Sequence, residues 1–340
     1  MQKAMLYSQL ADKLVVCRLC PHNCHIAAGK RGLCGVRENR DGELYSLVYG
    51  RAVATNSDPI EKKPLFHVQP GSKSFSLATV GCNFHCRHCQ NWQIAQYPQQ
   101  HPGEIPGQQL SPQQIVDQAT AAGCSSIAFT YTEPTIYFEY AYDTARLAAA
   151  AGLKNVFVSN GYTSAEALQL IAPCLDAANI DLKAFSDDFY REICAARLQP
   201  VLDTIRLYRQ LGIWVEVTTL VIPGYNDSDG ELRQIAEFIC SVAAEIPWHV
   251  SAFYPTHKLL DAPRTPASTL RRARQIGLEA GLRYVYQGNI PGEGGENSYC
   301  HACGELLIER YGYAIGQNRL RSAACCRCGA AFAGVGCKSI

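Results

Sequence analysis

The chain has 340 residues, 47% of them hydrophobic and 18% charged, which fits a globular enzyme and excludes disorder as the main state. With 31 basic and 30 acidic residues the net charge is +1, so nothing global argues for a polyanionic partner such as nucleic acid. No stretch approaches the ~18 consecutive apolar residues of a membrane span, and the opening MQKAMLYSQLADKLVV has no signal-peptide pattern, so no membrane partner and a cytoplasmic location are expected.

In a reducing compartment, metal ligation accounts better than disulfides for clustered thiols among the 17 cysteines. Thirteen fall near the N-terminus, at 82–89 and after 299. Cys124, Cys174, Cys194 and Cys240 stand singly in apolar patterns and are expected to pack as small hydrophobes.

Residues 1–73 read as a Cys-rich metal-binding segment. Cys17, Cys20, Cys24 and Cys34 suit either a closed tetrahedral zinc site or a second iron–sulfur cluster, and the spacing does not choose the metal. Gly29, Gly32 and Gly35 allow the tight turns of such a knuckle; His22 and His25 are expected at the surface. A hairpin is expected from 44–50 and 51–54. Lys62, Lys63 and His67 then either reach an anionic substrate group or belong to a solvated linker held by Leu65 and Phe66.

Across 74–290, short β-branched runs alternate with helical patterns, the signature of parallel βαβ units. Strands are expected at 74–80, 126–131, 155–159, 178–183, 214–222, 249–253 and 282–286. Helices are expected at 112–122, 136–151, 164–172, within 186–211, and at 229–245 and 266–280. Ser111 with Pro112 marks one helix start, and Ser228 with Glu231 makes a capping box for another. Six or seven such units make a partial α/β barrel with its site at the C-terminal strand ends. There fall Thr132 and Glu133, Ser159, Asn160 and Gly161, Asp181 and Lys183, Thr218 and Thr219, His249 and Ser251, and Gln287 with Asn289.

The first strand runs into Gly-Cys-Asn-Phe-His-Cys-Arg-His-Cys, with Cys82, Cys86 and Cys89 at C-x3-C-x2-C spacing. Three thiolates in eight residues can hold three irons of a [4Fe–4S] cube and leave the fourth open to an exogenous ligand. Phe84, His85 and His88, between the ligands, are expected to pack the loop.

Residues 291–340 begin with a Gly-rich linker at Pro291. Cys300 with Cys303 and Cys325 with Cys328 form two C-x2-C knuckles around strands at 306–308 and 311–315, the pattern of a zinc ribbon. Cys326 leaves the second ligand pair open to an alternative, and Cys337 is spare.

The cluster motif on strand one of a partial barrel resembles the radical SAM superfamily, particularly the pyruvate formate-lyase activating enzymes. FTYTEPT at 129–135, VSNGY at 158–162, NIDLKAF at 179–185, VIPGYND at 221–227 and YVYQGN at 284–289 extend the likeness to the radical SAM enzymes of the AmmeMemoRadiSam system. The resemblance implies a partial (β/α)6-type barrel, with S-adenosylmethionine (SAM) bound at the open iron of a cluster held only by Cys82, Cys86 and Cys89. It implies that Glu133 steadies the methionine amino group, although the glycines that precede this Glu in related enzymes are missing. It gives Asn160 and Gly161 a SAM contact, puts Asp181 and Lys183 near SAM and substrate, and makes His249 a further contact.

The expected activity is therefore reductive cleavage of SAM to a 5′-deoxyadenosyl radical that abstracts hydrogen from a substrate. An electron donor such as flavodoxin or ferredoxin is implied. The alternatives are an activating enzyme that forms a glycyl radical on a protein partner and, from another class, a non-catalytic metal- or nucleic-acid-binding protein.

Overall fold

In the computed structural model, which describes residues 1–290 and 292–337, the centre is an eight-stranded sheet. Its strands are neighbours in space in the order of the sequence: β1 (Ala54–Pro59), β2 (Lys73–Ala78), β3 (Ser126–Phe129), β4 (Lys154–Ser159), β5 (Ala177–Asp181), β6 (Trp214–Val221), β7 (Trp248–Ala252) and β8 (Val285–Gly288). β1 is antiparallel to β2, and every later pair is parallel. Parallel neighbours need crossovers, and these carry α1 (Pro112–Ala121), α2 (Phe138–Ala150), α3 (Ala165–Ile171), α4 (Leu198–Gln210), α5 (Asp229–Val242) and α6 (Ala267–Glu279). Among the described residues no ladder joins β8 to β1, so the barrel is partial.

Helices on the outside and side chains in the lumen bury the parallel strands β2–β8 on both faces, which is why they read as near-continuous apolar runs, whereas the antiparallel edge strand β1 is partly exposed. β6, Trp-Val-Glu-Val-Thr-Thr-Leu-Val, is buried everywhere except Leu220. Ser111 caps α1 with a full box: Gln114 N donates to Ser111 Oγ, and Ser111 N donates to Gln114 Oε1. The expected box at α5 is only half formed. Ser228 Oγ accepts from Glu231 N at 3.3 Å, but Glu231 Oε1 accepts from Phe185 N at 2.8 Å instead of from the cap residue.

Two local expectations are corrected, the hairpin and the start of the last strand, and the one or two helices expected within 186–211 are present with a break between them. The hairpin expected across 44–54 is replaced by one between Arg37–Arg40 and Glu43–Ser46, turned by Asp41 and Gly42, both with positive φ; an Asp-Gly pair suits such a two-residue turn. The segment 186–211 breaks into Asp187–Phe189, a π turn over Tyr190–Cys194, a left-handed Ala195, and then α4. The last strand starts at Val285 rather than 282, because Leu282 N closes the end of α6 on Gly277 O.

The N-terminal residues form small antiparallel sheets whose Val15, Leu19, Ile26, Val36 and Leu44 share the barrel's apolar core. They are locked to α2 by Arg37, whose Nη1 and Nη2 donate to Glu139 Oε2 and Oε1 at 2.9 and 2.7 Å, both side chains being buried. At the other end, Ser298–Tyr299, Leu306–Tyr311 and Ala314–Asn318 make a three-stranded sheet. Its core takes in Phe66, Tyr284 and Tyr286, and His67 stacks on Phe332 at 4.1 Å. Pro291, the first residue of the expected linker, lies outside the described residues.

Candidate active site

The C-terminal ends of the parallel strands surround a cleft of about 430 Å³, within the size range of small-molecule sites. Cys82, Cys86 and Cys89 line one side of it, Glu133, Ser159 and Asn160 another, and Asp181, Lys183, Thr218, His249 and Gln287 the remainder. Tyr313, from the C-terminal hairpin, reaches the rim. Four buried polar atoms among the lining residues have no partner: Glu61 Oε2, His88 Nδ1, Thr218 Oγ1 and Gln287 Nε2. Unpaired buried polar atoms cost free energy, so a lining with four of them suits a polar ligand. The two-residue alternation of β6 sends Thr218 inward, whereas Thr219 Oγ1 donates outward to Leu182 O at 2.8 Å.

The cluster loop is held from outside, which leaves its thiols free to face the cleft. Gly81 has φ +100°, and a Cβ there would lie 2.8 Å from Val36 Cγ1 and 3.0 Å from Cys34 O. The amides of His85 and Arg87 donate to the carbonyls of Cys194 and Ile193, both at 2.9 Å. Phe84 N donates to Cys82 Sγ at 3.3 Å, and His85 Nδ1 lies 2.6 Å from Gln96 Oε1. Phe84 is buried against Tyr162 and Tyr190, so Phe84 and His85 pack the loop as expected.

Cys194 is not only a packing residue. The π turn brings it to Cys86 and His88, with one ligand atom from each within 4.8 Å of the others. A hydrogen bond from Cys194 lowers the pKa of Cys86, whereas burial pushes Cys82 well up and Cys89 up to about 11. Metal binding at these thiols must therefore release protons. Burial holds His88 near pKa 3, so its ring is neutral.

Glu133 is buried and ties two strand ends together. Its Oε1 accepts from Thr135 N and Ser159 Oγ, both at 2.9 Å, and its Oε2 from Asn160 N at 2.8 Å. Burial raises its pKa, against the opposing effect of these donors. Asn160 Nδ2 donates to Asn83 Oδ1 at 2.8 Å and lies 3.8 Å from Cys82 Sγ, so it braces the cluster loop. Gly161 is not among the residues lining the cleft. Its φ of +72°, and Ile180 Cγ2 only 2.8 Å from where a Cβ would sit, explain the glycine. Asp181 and Lys183 line the cleft as an ion pair of 2.9 Å. Burial would lower the Lys183 pKa, but Asp181 and the nearby thiols hold it well above its ordinary value.

The substrate-anion reading is corrected for His67 alone. Buried His67 bridges Ala333 O and Tyr286 OH at 2.6 and 2.7 Å and is not among the residues lining the cleft, whereas Lys62 and Lys63 line it while pairing with Asp58 at 2.9 and 2.6 Å. The solvated-linker reading fails too, since the 60–67 segment is mostly buried.

Residues 76–239 match the radical SAM superfamily. The uncharacterized protein MJ0808 of Methanocaldococcus jannaschii is 49% identical over 312 residues, 92% of each chain. The chain belongs to the radical SAM superfamily. The proposed glycyl-radical enzyme activating enzyme MJ1632 of the same organism is 24% identical over 61% of this chain and 78% of that one. Among solved structures, Streptococcus suis SuiB bound to precursor peptide SuiA shares the fold at a TM-score of 0.51, with 12% identity over 68% of this chain and 52% of that one.

Radical SAM proteins use a [4Fe–4S] cluster and SAM, and the donor set here fits that pair. The three thiols of one loop border the cleft yet do not form one of the groups whose ligand atoms lie within 4.8 Å of each other, as a single ion requires. The C-terminal quartet behaves differently. Cys300, Cys303, Cys325 and Cys328 all lie within 4.8 Å, with Cys300–Cys328 and Cys303–Cys325 Sγ separations of 3.6 and 3.7 Å, so they could hold one metal ion. Cys326 is outside the quartet, and Cys337 Sγ donates to His67 O at 3.1 Å.

Sequence reasoning missed Glu216, a carboxylate inside an apolar strand and buried in the barrel. Its Oε1 accepts from His67 N and Trp214 Nε1 at 2.8 and 3.2 Å; its Oε2 accepts from Phe66 N at 3.0 Å and pairs with His249 Nε2 at 2.7 Å. Burial would raise the pKa of Glu216, but the His249 contact and the other donors hold it below its ordinary value. The signal was available as the lone charge in Trp-Val-Glu-Val. Nothing local marked Tyr313.

Proposed function

We propose that this protein is an enzyme that reductively cleaves SAM and uses the resulting radical on a substrate not yet identified. Cys82, Cys86 and Cys89 would hold a [4Fe–4S] cluster that, together with SAM, would supply one-electron cleavage of a SAM carbon–sulfur bond and, from it, hydrogen abstraction from the substrate. The observation that carries this reading is the three-thiol loop at a strand end, bordering a cleft with unpaired polar atoms at Thr218 and Gln287.

The chain's own groups have defined tasks. Glu133 uses three acceptor positions on its neighbours, and a carboxylate offers about four, so one remains for the methionine ammonium. Asp181 and Lys183 put a paired anion and cation at the cleft wall, suited to orienting charged groups of SAM or substrate. His249, fixed by Glu216, and the inward Thr218 and Gln287 suit the polar edge of the nucleoside. Asn160 acts through the loop, as a positioning residue beside Cys82, and Gly161 lets the chain turn after it against Ile180 and Val201. The electron donor is a one-electron carrier protein such as flavodoxin or ferredoxin, and the C-terminal quartet holds structural zinc.

The test is anaerobic reconstitution with iron and sulfide, followed by dithionite and SAM, with 5′-deoxyadenosine quantified for wild type and Cys86→Ala. Product from wild type alone supports the reading. No product from a fully cluster-loaded wild type would move the weight to a non-catalytic metal-binding protein. The likeness to MJ1632 favours a second reading, activation of a partner by forming a glycyl radical, which predicts hydrogen abstraction from a protein rather than a small molecule.

A further inference from the structure

We propose that Cys17, Cys20, Cys24 and Cys34 hold a second [4Fe–4S] cluster rather than a zinc ion. All four line one cavity between the N-terminal sheets and the cluster loop, together with Leu19, Ile26 and Ile136. A zinc ion with four thiolates at about 2.3 Å pulls its sulfurs to within about 3.8 Å of each other. The C-terminal quartet has that compactness, at 3.6 and 3.7 Å for two of its pairs. The N-terminal four do not form such a group. They surround a space instead, as the three thiols of the radical SAM loop do. A cube of four irons and four sulfides keeps its terminal thiolates apart on separate corners.

Charge marks the cavity as a metal–thiolate site. Four thiolates carry the same net negative charge around a zinc ion or a [4Fe–4S]2+ cube, and burying it requires a compensating cation or donors. Arg37 lines the same cavity, is 2% exposed, and has an Nε–H with no partner while its two terminal nitrogens are taken by Glu139 and Met5 O. A buried guanidinium with one donor left over suits an anionic occupant. Asn83, next to Cys82, forms part of the cavity wall, and its carbonyl lies 2.8 Å from His22 Nε2. The second cluster is thus a neighbour of the first, across one loop.

The test counts metal and acid-labile sulfide per chain after anaerobic reconstitution, in the full-length wild type and in the Cys82→Ala/Cys86→Ala/Cys89→Ala variant. The proposal expects about eight iron and eight sulfide in wild type and about four of each in the variant, with one zinc in both. Sulfide separates a cube from mononuclear iron in the C-terminal quartet. About four iron in wild type and none in the variant, with two zinc in each, would overturn the proposal and leave the radical SAM reading standing. The same four iron in both proteins would uphold it and count against a cluster at Cys82. Both counts use proteins in which the N-terminal cysteines are intact, so misfolding of that segment by mutation does not enter.

Discussion

Glu216 is the most demanding test of how the barrel is held together. Replacing it by Gln keeps the shape but turns one of two acceptor oxygens into a donor. On the Oε1 side, the bonds from His67 N and Trp214 Nε1 survive. On the other side, the Phe66 amide, now 3.0 Å from an acceptor, faces an N–H, and His249 loses its charged partner at 2.7 Å. Hydrogen bonds to a charged group are worth about 1.5–3 kcal/mol each, so losing two predicts a destabilisation of roughly 3–5 kcal/mol at pH 7. The assay is anaerobic urea unfolding of the reconstituted protein followed by tryptophan fluorescence, since Trp214 bonds Glu216 directly. The midpoint should fall with an unchanged slope. The pH dependence checks the cause. Because the folded pKa of Glu216 lies below its ordinary 4.5, its contribution is present above that pH and lost as pH falls through the lower folded value. The penalty of Glu216→Gln should therefore shrink in acid. A loss under about 1 kcal/mol at pH 7, or one that does not change with pH, would refute the reasoning.

Glu139→Gln should cost roughly 3–5 kcal/mol, because it leaves buried Arg37 without its charge partner, and limited proteolysis should then cut the N-terminal residues first. Gly81→Ala should lower cluster loading at Cys82, read by iron content, since the added Cβ meets Val36 and the Cys34 carbonyl at φ +100°. His67, held near pKa 4 by burial, takes up a proton more readily when unfolded, so stability should fall as pH drops from about 6.5 to 4, by up to about 1.4 kcal/mol per unit; His67→Gln should flatten that slope in the same unfolding assay. Stripping metal from the C-terminal quartet should expose Phe332 and Leu320 and raise hydrogen exchange across Leu306–Tyr311, while Cys326→Ser should leave metal content unchanged.

Much of the fold was legible because its causes are local. Strand–helix alternation from 74 to 290 follows from burial on both strand faces, and Ser111 with Pro112 announced α1. The three-cysteine loop was legible for the same reason, as Cys82, Cys86 and Cys89 lie within eight residues. What escaped depends on contacts between distant segments. Cys194 is 108 residues from Cys86 and meets it only because a π turn ends in a left-handed Ala195, for which no residue type signals.

The sequence by itself determined the barrel class, the radical SAM loop and the C-terminal cysteine knuckles, since each rests on periodicity or on cysteine spacing within one stretch. Only the tertiary structure decided that His67 is structural rather than substrate-binding, and that Asn160 braces Cys82. It alone set Tyr313 at the cleft rim and Arg37 beside the four N-terminal thiols. A side chain's partner is chosen by which segments the fold packs together, and that is a property of the whole chain.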